Sequence, residues 1–307
     1  MKKIIAVLLT VILFSSLLFG HYAYAHTFIE NPDASMIAKI QVFKVESKLI
    51  ANNVSNNTLA QWHVSKSQEY WGSNETGTLS QKDSGLANRI SASVNDLYLM
   101  AGQQNASSAI ANQKADAINQ LLDQAESEEV DSSSQNNSTV QALAMVGVLN
   151  EVLEDYGTAI GSKIDLTNMN NMNMSSSGSN MQGMSGMSSN NNMSGMSSTT
   201  IVNAAAYQSA QALAGTAKTM FASLQSTAPS TASSYLVKVG TALDALEQKI
   251  DDKSSGNDVM TVVHMQIHPN LISAFNIEAV PEFPMPVLLA IMSFIGVIAV
   301  PRIIRGK

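Results

Sequence analysis

The 307-residue chain has no cysteine, which excludes a disulfide framework, a thiolate nucleophile and any thiolate metal site. Charge is scarce too: 13% of residues are charged, and 24 acidic against 17 basic ones leave a net −7. With aromatics at 6%, the chain lacks the basic, aromatic-rich surface that nucleic-acid binding uses. It also contains no G-x-S-x-G elbow, Walker loop, G-x-G-x-x-G or H-E-x-x-H. Hydrolase, kinase, dehydrogenase and zinc-protease chemistry therefore have no motif behind them, and the expectation is a protein that is not an enzyme.

The two ends of the chain read as addresses. Lys2 and Lys3 precede an apolar run over 4–20, and Ala23-Tyr24-Ala25 follows. A basic start, an apolar stretch and an A-x-A site make a secretory signal peptide over 1–25; uncleaved, the same run would serve as an N-terminal anchor. At the other end, Val280-Pro281-Glu282-Phe283-Pro284 leads into an apolar run over 285–300 and a tail with Arg302, Arg305 and Lys307. That run is at the short limit for a transmembrane helix, and the basic tail places everything before it outside the cytoplasm. The motif, span and basic tail of 280–307 resemble the PEF-CTERM sorting signals of archaeal surface proteins. The matching residues are Pro281, Glu282 and Phe283, with Pro284 where many such signals have Gly. The resemblance implies an archaeosortase-type processing enzyme as a partner and a membrane attachment through the helix or a lipid anchor. It concerns the tail alone.

Together the ends hold five basic residues (Lys2, Lys3, Arg302, Arg305, Lys307) and one acid (Glu282), so 26–280 carries −11. Such a surface is soluble and repels anionic polymers. N-x-S/T sequons at Asn53, Asn56, Asn74, Asn105, Asn136, Asn137, Asn173 and Asn192 suit a glycosylated exterior protein.

Between the addresses the dominant periodicity is helical. It predicts helices over 33–51, 58–71 (capped by Thr58 and ended by Gly72-Ser73-Asn74), 80–101, 106–129, 139–160, 201–225 and 232–253, with a polar linker at 131–137. Residues 257–275 are ambiguous, divided by Pro269, and their first part reads equally as a short strand. Residues 167–200 consist of Met, Asn, Ser, Gly, Thr and one Gln. Nothing there can bury enough surface to offset chain entropy, which predicts disorder. The expected fold is all-α: an N-terminal helical domain over 26–166, a disordered Met-rich loop over 167–200 and a C-terminal helical segment over 201–279. Whether these helices make one bundle or two stays open at this stage.

The loop is the most specific feature. Met169, Met172, Met174, Met181, Met184, Met187, Met193 and Met196 are eight of 17 methionines, several at M-x-x-M spacing. Thioethers are soft, neutral donors that favour Cu(I) over Zn²⁺ and form no disulfides in an oxidising exterior. A plain spacer is the competing reading, although a spacer has no reason to use an oxidisable apolar residue. The block resembles the Met-rich runs of copper-handling proteins, which implies Cu(I) at the loop.

Four histidines lie outside the signal. His26 would become the N-terminus on cleavage after Ala25, offering its amino group and ring to one ion as in the histidine brace of copper enzymes, which it resembles in that one residue. His264 and His268, at i, i+4, make a two-imidazole site on a helix but stand about 13 Å apart on a strand; Met260 and Met265 are neighbouring soft donors. His63 reads as a partly buried helix residue that becomes a ligand only beside His26. These four are the candidate ligands for Cu(II). The acidic groups Glu151, Glu154, Asp155 and Glu126, Glu128, Glu129 read as solvated faces. The resulting expectation is a surface-anchored protein of copper capture or delivery, handing the ion to a copper-accepting protein. The alternative is a structural or partner-binding helical domain of the envelope.

Overall fold

A computed structural model describes residues 26–28, 30–171 and 199–281. The chain divides into two units, one made of its two ends and the other of Glu30–Glu278. In the first, β1 (His26–Phe28) and β2 (Ala279–Pro281) form an antiparallel pair with His26 opposite Pro281. These are the only strands among the described residues. The signal peptide, most of the Met-rich loop and the C-terminal span lie outside the described residues. Among those described, no helix is long and apolar enough to cross a membrane.

The second unit is helical throughout. In chain order it holds α1 (Pro32–Asn52), α2 (Asn57–Tyr70), α3 (Ser73–Lys82), α4 (Ser84–Ala101) and α5 (Ser108–Glu129). After a single turn come α6 (Ser138–Ala159), α7 (Ala204–Thr227), α8 (Ser233–Asp251), α9 (Gly256–Thr261) and α10 (His268–Phe275). Most helices begin where a short polar side chain can accept an orphan backbone N–H. Asn31, Asn56, Asp83, Ser107, Asn203 and Ser255 each bond the amide three residues on, and Asn137 bonds two. The cap of α2 is therefore Asn56, not the expected Thr58.

Two departures from the expected helices have local causes. Gly72 does not only end α2; its N–H donates to Glu75 Oε2 at 3.1 Å, and α3 starts there. The second concerns 257–275, where no strand forms. Instead α9 runs into a π-helical turn, Val262–Ile267, and then α10. Pro269 has no N–H for the carbonyl four residues back, and its ring crowds that carbonyl. The wider turn relieves the conflict, with the His268 N–H bonded to Val263 O.

The helices before and after the Met-rich loop are one unit, which answers the question the sequence leaves open. Helix α6 packs along α7, and α1 runs through the middle, against α2, α4, α5, α6 and α7. A central helix must be apolar on most sides, and α1 buries Ile37, Ala38, Ile40, Val42, Phe43, Ile50 and Ala51. Each large aliphatic among them contributes about 1.5–3 kcal/mol by leaving water. At Gly147 of α6 a Cβ would lie 2.8 Å from the Ala38 Cβ, so the absence of a side chain there permits the close approach of α1 and α6.

Candidate functional site

The described residues hold two buried polar centres. The first lies where the chain leaves α6 and begins the Met-rich loop. Leu166, buried at 2% exposure, fits beside Gly256, where a Cβ would stand 3.1 Å from both Leu166 and Ile160. Its carbonyl accepts from His264 Nε2 at 3.0 Å. The far side of the loop is held at the same turn: the Thr199 N–H donates to Lys253 O at 2.7 Å, and the Thr199 hydroxyl donates to Ser254 O. Tyr156 fixes that turn from α6 through its hydroxyl to Ser254 O. Residues 253–256 thus touch both flanks of the Met-rich segment.

A carbonyl oxygen only accepts, so His264 Nε2 carries the hydrogen and the lone pair of the neutral ring sits on Nδ1. Burial holds the His264 pKa below its usual value, opposed by the Leu166 carbonyl and Asp165; the neutral ring is the resting form at pH 7. The His268 ring lies edge-on, 5.2 Å away between centroids. Both residues are buried. The helical alternative for this pair is the one realised, and the π turn brings the rings side by side.

The second centre joins α1, α2, α6 and α7. His63 Nδ1 lies 2.8 Å from Glu46 Oε2, and Glu46 Oε1 accepts from the Ser209 hydroxyl at 2.6 Å. All three residues are fully buried. The hydrogen-bond sense of the other ring nitrogen is set by a chain of contacts. Asn53 Nδ2 donates to Leu49 O and to Gln208 Oε1, both at 2.9 Å, so it is an oxygen of Gln208 that faces His63 Nε2 at 3.1 Å. His63 Nε2 therefore donates to Gln208, and its Nδ1 faces the Glu46 carboxyl. As folded, both ring nitrogens of His63 are engaged by protein groups. The trio resembles a nucleophilic triad in composition only: Ser209 bonds the carboxylate, and Gln208 fills the place where a serine would meet Nε2.

Lys66 extends this centre by one helical turn. Its Nζ lies 3.1 Å from Glu154, 3.4 Å from Asp155, 3.4 Å from Glu69 and 3.5 Å from Glu151, and the whole residue is buried at 5% exposure. Burial alone would lower the Lys66 pKa, but Asp155, Tyr70 and Glu151 raise it well above the usual range. Tyr70 donates a short hydrogen bond to Glu151, whose pKa burial raises. Asp155 is buried at 1% exposure, and among the described residues its Oδ2 has no hydrogen-bond partner. Desolvation pushes its carboxyl up to about 8, with Glu46 and Glu151 adding to the rise against the pull of Lys66. The expected solvated face of Glu151, Glu154 and Asp155 is realised only by Glu154, which is largely exposed; Glu151 and Asp155 turn inward beside Lys66. Glu129 likewise has a side chain only 7% exposed, beside Lys82.

Of the remaining candidate ligands, His26 lies on β1 in the first unit. Met169 is half-buried in a single turn, Met169–Asn171. Met172, Met174, Met181, Met184, Met187, Met193 and Met196 lie outside the described residues. Of the neighbouring sulfurs, Met260 is buried and Met265 is 41% exposed. Among the described residues, no three His, Asp or Glu side chains converge in a geometry that could hold a metal ion. No protein-family model, curated protein or solved structure matches the chain.

Proposed function

We propose that this is a cell-surface, membrane-anchored protein that captures or delivers copper without catalysing a reaction. The carrying observation is the crowding of eight methionines into 28 residues that contain no charge and no harder donor than an amide or hydroxyl. Such a segment offers Cu(I) several exchangeable sulfurs and little to attract Zn²⁺ or Mg²⁺. The setting of its flanks supports the reading. Leu166 and Thr199 meet at one turn of the bundle, next to a neutral imidazole with a lone pair on Nδ1. A ring that donates its other N–H to a backbone carbonyl is in the state that metal-ligating histidines adopt. Copper is cargo here, held at the loop as Cu(I), with His264 and His268 available to either oxidation state. The bundle supplies a fixed root for the segment and keeps its ends together, which raises the effective concentration of its sulfurs.

The test is an anaerobic Cu(I) titration of the full chain against a chromophoric competitor, beside two variants. One has the eight loop methionines changed to Leu; the other carries His264→Gln with His268→Gln. The reading expects tenfold or greater weakening in the first and a smaller loss in the second. Equal affinity in the wild type and the methionine variant would sink it and leave the envelope-domain alternative standing.

A further inference from the structure

Among the described residues, the fold sorts the N-x-S/T sequons into those whose amide is already used and those whose amide is open; Asn173 and Asn192 lie outside them. Asn53 is buried, and both its Nδ2 hydrogens are spent on Leu49 O and Gln208 Oε1. Asn56 and Asn137 use their side-chain oxygens to cap α2 and α6. Asn74 is exposed but lies in the first turn of α3, and Asn136 adjoins the Asn137 cap. Asn105 differs from all of these. It is exposed, lies in the six-residue turn between α4 and α5, and among the described residues nothing bonds its amide. Its φ of +63° tilts it out of the regular backbone in a conformation that Asn tolerates better than most residues. Two residues on, Ser107 is exposed and accepts the Ile110 N–H at its oxygen, so its own O–H stays available to an enzyme that reads the sequon hydroxyl. The same turn is flanked by two large apolar side chains left in water, Leu99 at 66% and Ile110 at 51% exposure.

We infer that Asn105 is an N-glycan acceptor, and that the first saccharides cover the apolar rim formed by Leu99 and Ile110. The inference rests on the extracytoplasmic part of the reading above and is independent of copper. The donor is an oligosaccharide carried on a lipid pyrophosphate. Asn105 Nδ2 attacks the anomeric carbon, the C–N bond forms as the C–O bond to phosphate breaks, the lipid pyrophosphate leaves with the electron pair, and the amide proton passes to a base. A bulky hydrophilic chain at this turn meets no packed neighbour, and it removes from water two side chains that would otherwise favour self-association.

Peptide mass spectrometry of the full chain recovered from the envelope of its native host tests this, with N-terminal sequencing of the same sample. The expected result is a saccharide mass on the Asn105 peptide, none on the Asn53 peptide, and one fewer glycan by mass in Asn105→Asp. Asp tolerates the same backbone conformation, so that variant folds. Ser107→Thr, which keeps both the cap and the sequon, retains the glycan. An unmodified Asn105 in a chain that begins at His26 overturns the inference while the surface reading survives. An unprocessed chain confined to the cytoplasm overturns both.

Discussion

His63 and His264 are the same residue at nearly the same burial, yet the bundle gives them different partners. His63 sits between a carboxyl and an amide oxygen, and both its nitrogens are engaged. His264 meets one backbone carbonyl and keeps a lone pair. Burial disfavours a charged ring in both places; what differs is whether a counter-charge was buried with it. At the centre of the bundle the charge came with Glu46, and the histidine became part of the framework. At the 253–268 segment beside Leu166, the pole of the bundle, it came with none, and the histidine stays a neutral base. A count of histidines in the sequence treats the two alike, whereas their hydrogen-bond partners separate structure from a candidate ligand.

The strongest way to break the comparison is to remove the counter-charge. Glu46→Ala would leave His63 Nδ1 buried without its partner, and would strip Ser209 of its acceptor. Breaking one side of a buried ion pair costs about 3–5 kcal/mol. In a unit of this size that is a fall in Tm on the order of 10 °C, readable by calorimetry. Replacing Glu46 and His63 together by Gln and Leu should recover part of the loss, because no orphaned charge remains. A single Glu46→Ala variant as stable as the wild type would show that the Glu46–His63 contact contributes nothing to the framework.

The buried charge explains which parts of the molecule could be read from the chain and which could not. Apolar periodicity and short polar caps locate most of the helices, because core-facing residues must recur every three to four positions. Helix α3 escapes that pattern, since Leu79 is its only buried residue. The π turn escapes it as well: the conflict at Pro269 is visible, but its resolution in the backbone is not. The ionic centre was missed for a different reason. Glu46 lies on the row of Phe43 and Ile50, and Asp155 on the row of Val152 and Ala159. A charged residue on an apolar row was the available signal, and grouping acids by sequence proximity concealed it. The candidate His264 and His268 site was legible as an i, i+4 pair. Its attachment to Leu166 joins residues 98 positions apart and has no local signature.

A second test sharpens the charge argument through pH. The Asp155 carboxyl is raised to about 8 in the fold from its value of about 4 in the unfolded chain. The native state therefore binds the extra proton, and this group makes stability fall as pH rises between those two values. The slope is at most about 1.4 kcal/mol per pH unit. Asp155→Asn keeps the shape and removes the titration. Urea unfolding from pH 5 to 9 should show the variant gaining on the wild type up to about pH 8 and holding a constant lead beyond it. A difference that does not change with pH would mean that Asp155 is ionised beside Lys66.

The smallest expected effect runs the other way and belongs to His264. Its pKa is lowered in the fold, mainly by burial, so below the ordinary histidine range the unfolded chain binds the extra proton and the native state loses stability as pH falls. The Leu166 carbonyl, the His268 ring and the Asp165 carboxylate face this ring, and the carbonyl and the acid both oppose the loss. Protonation at Nδ1 leaves the Nε2–H to Leu166 intact, so the pole should loosen without the bundle unfolding. Amide hydrogen exchange over 253–268 is the suitable measure: protection there should drop between pH 7.5 and 5 while α1 and α2 hold theirs. His264→Gln keeps a donor for the Leu166 carbonyl and cannot titrate, and it should abolish the drop. The same acid sensitivity in wild type and variant would assign the effect to another group and remove the contrast between the two histidines at its weaker end.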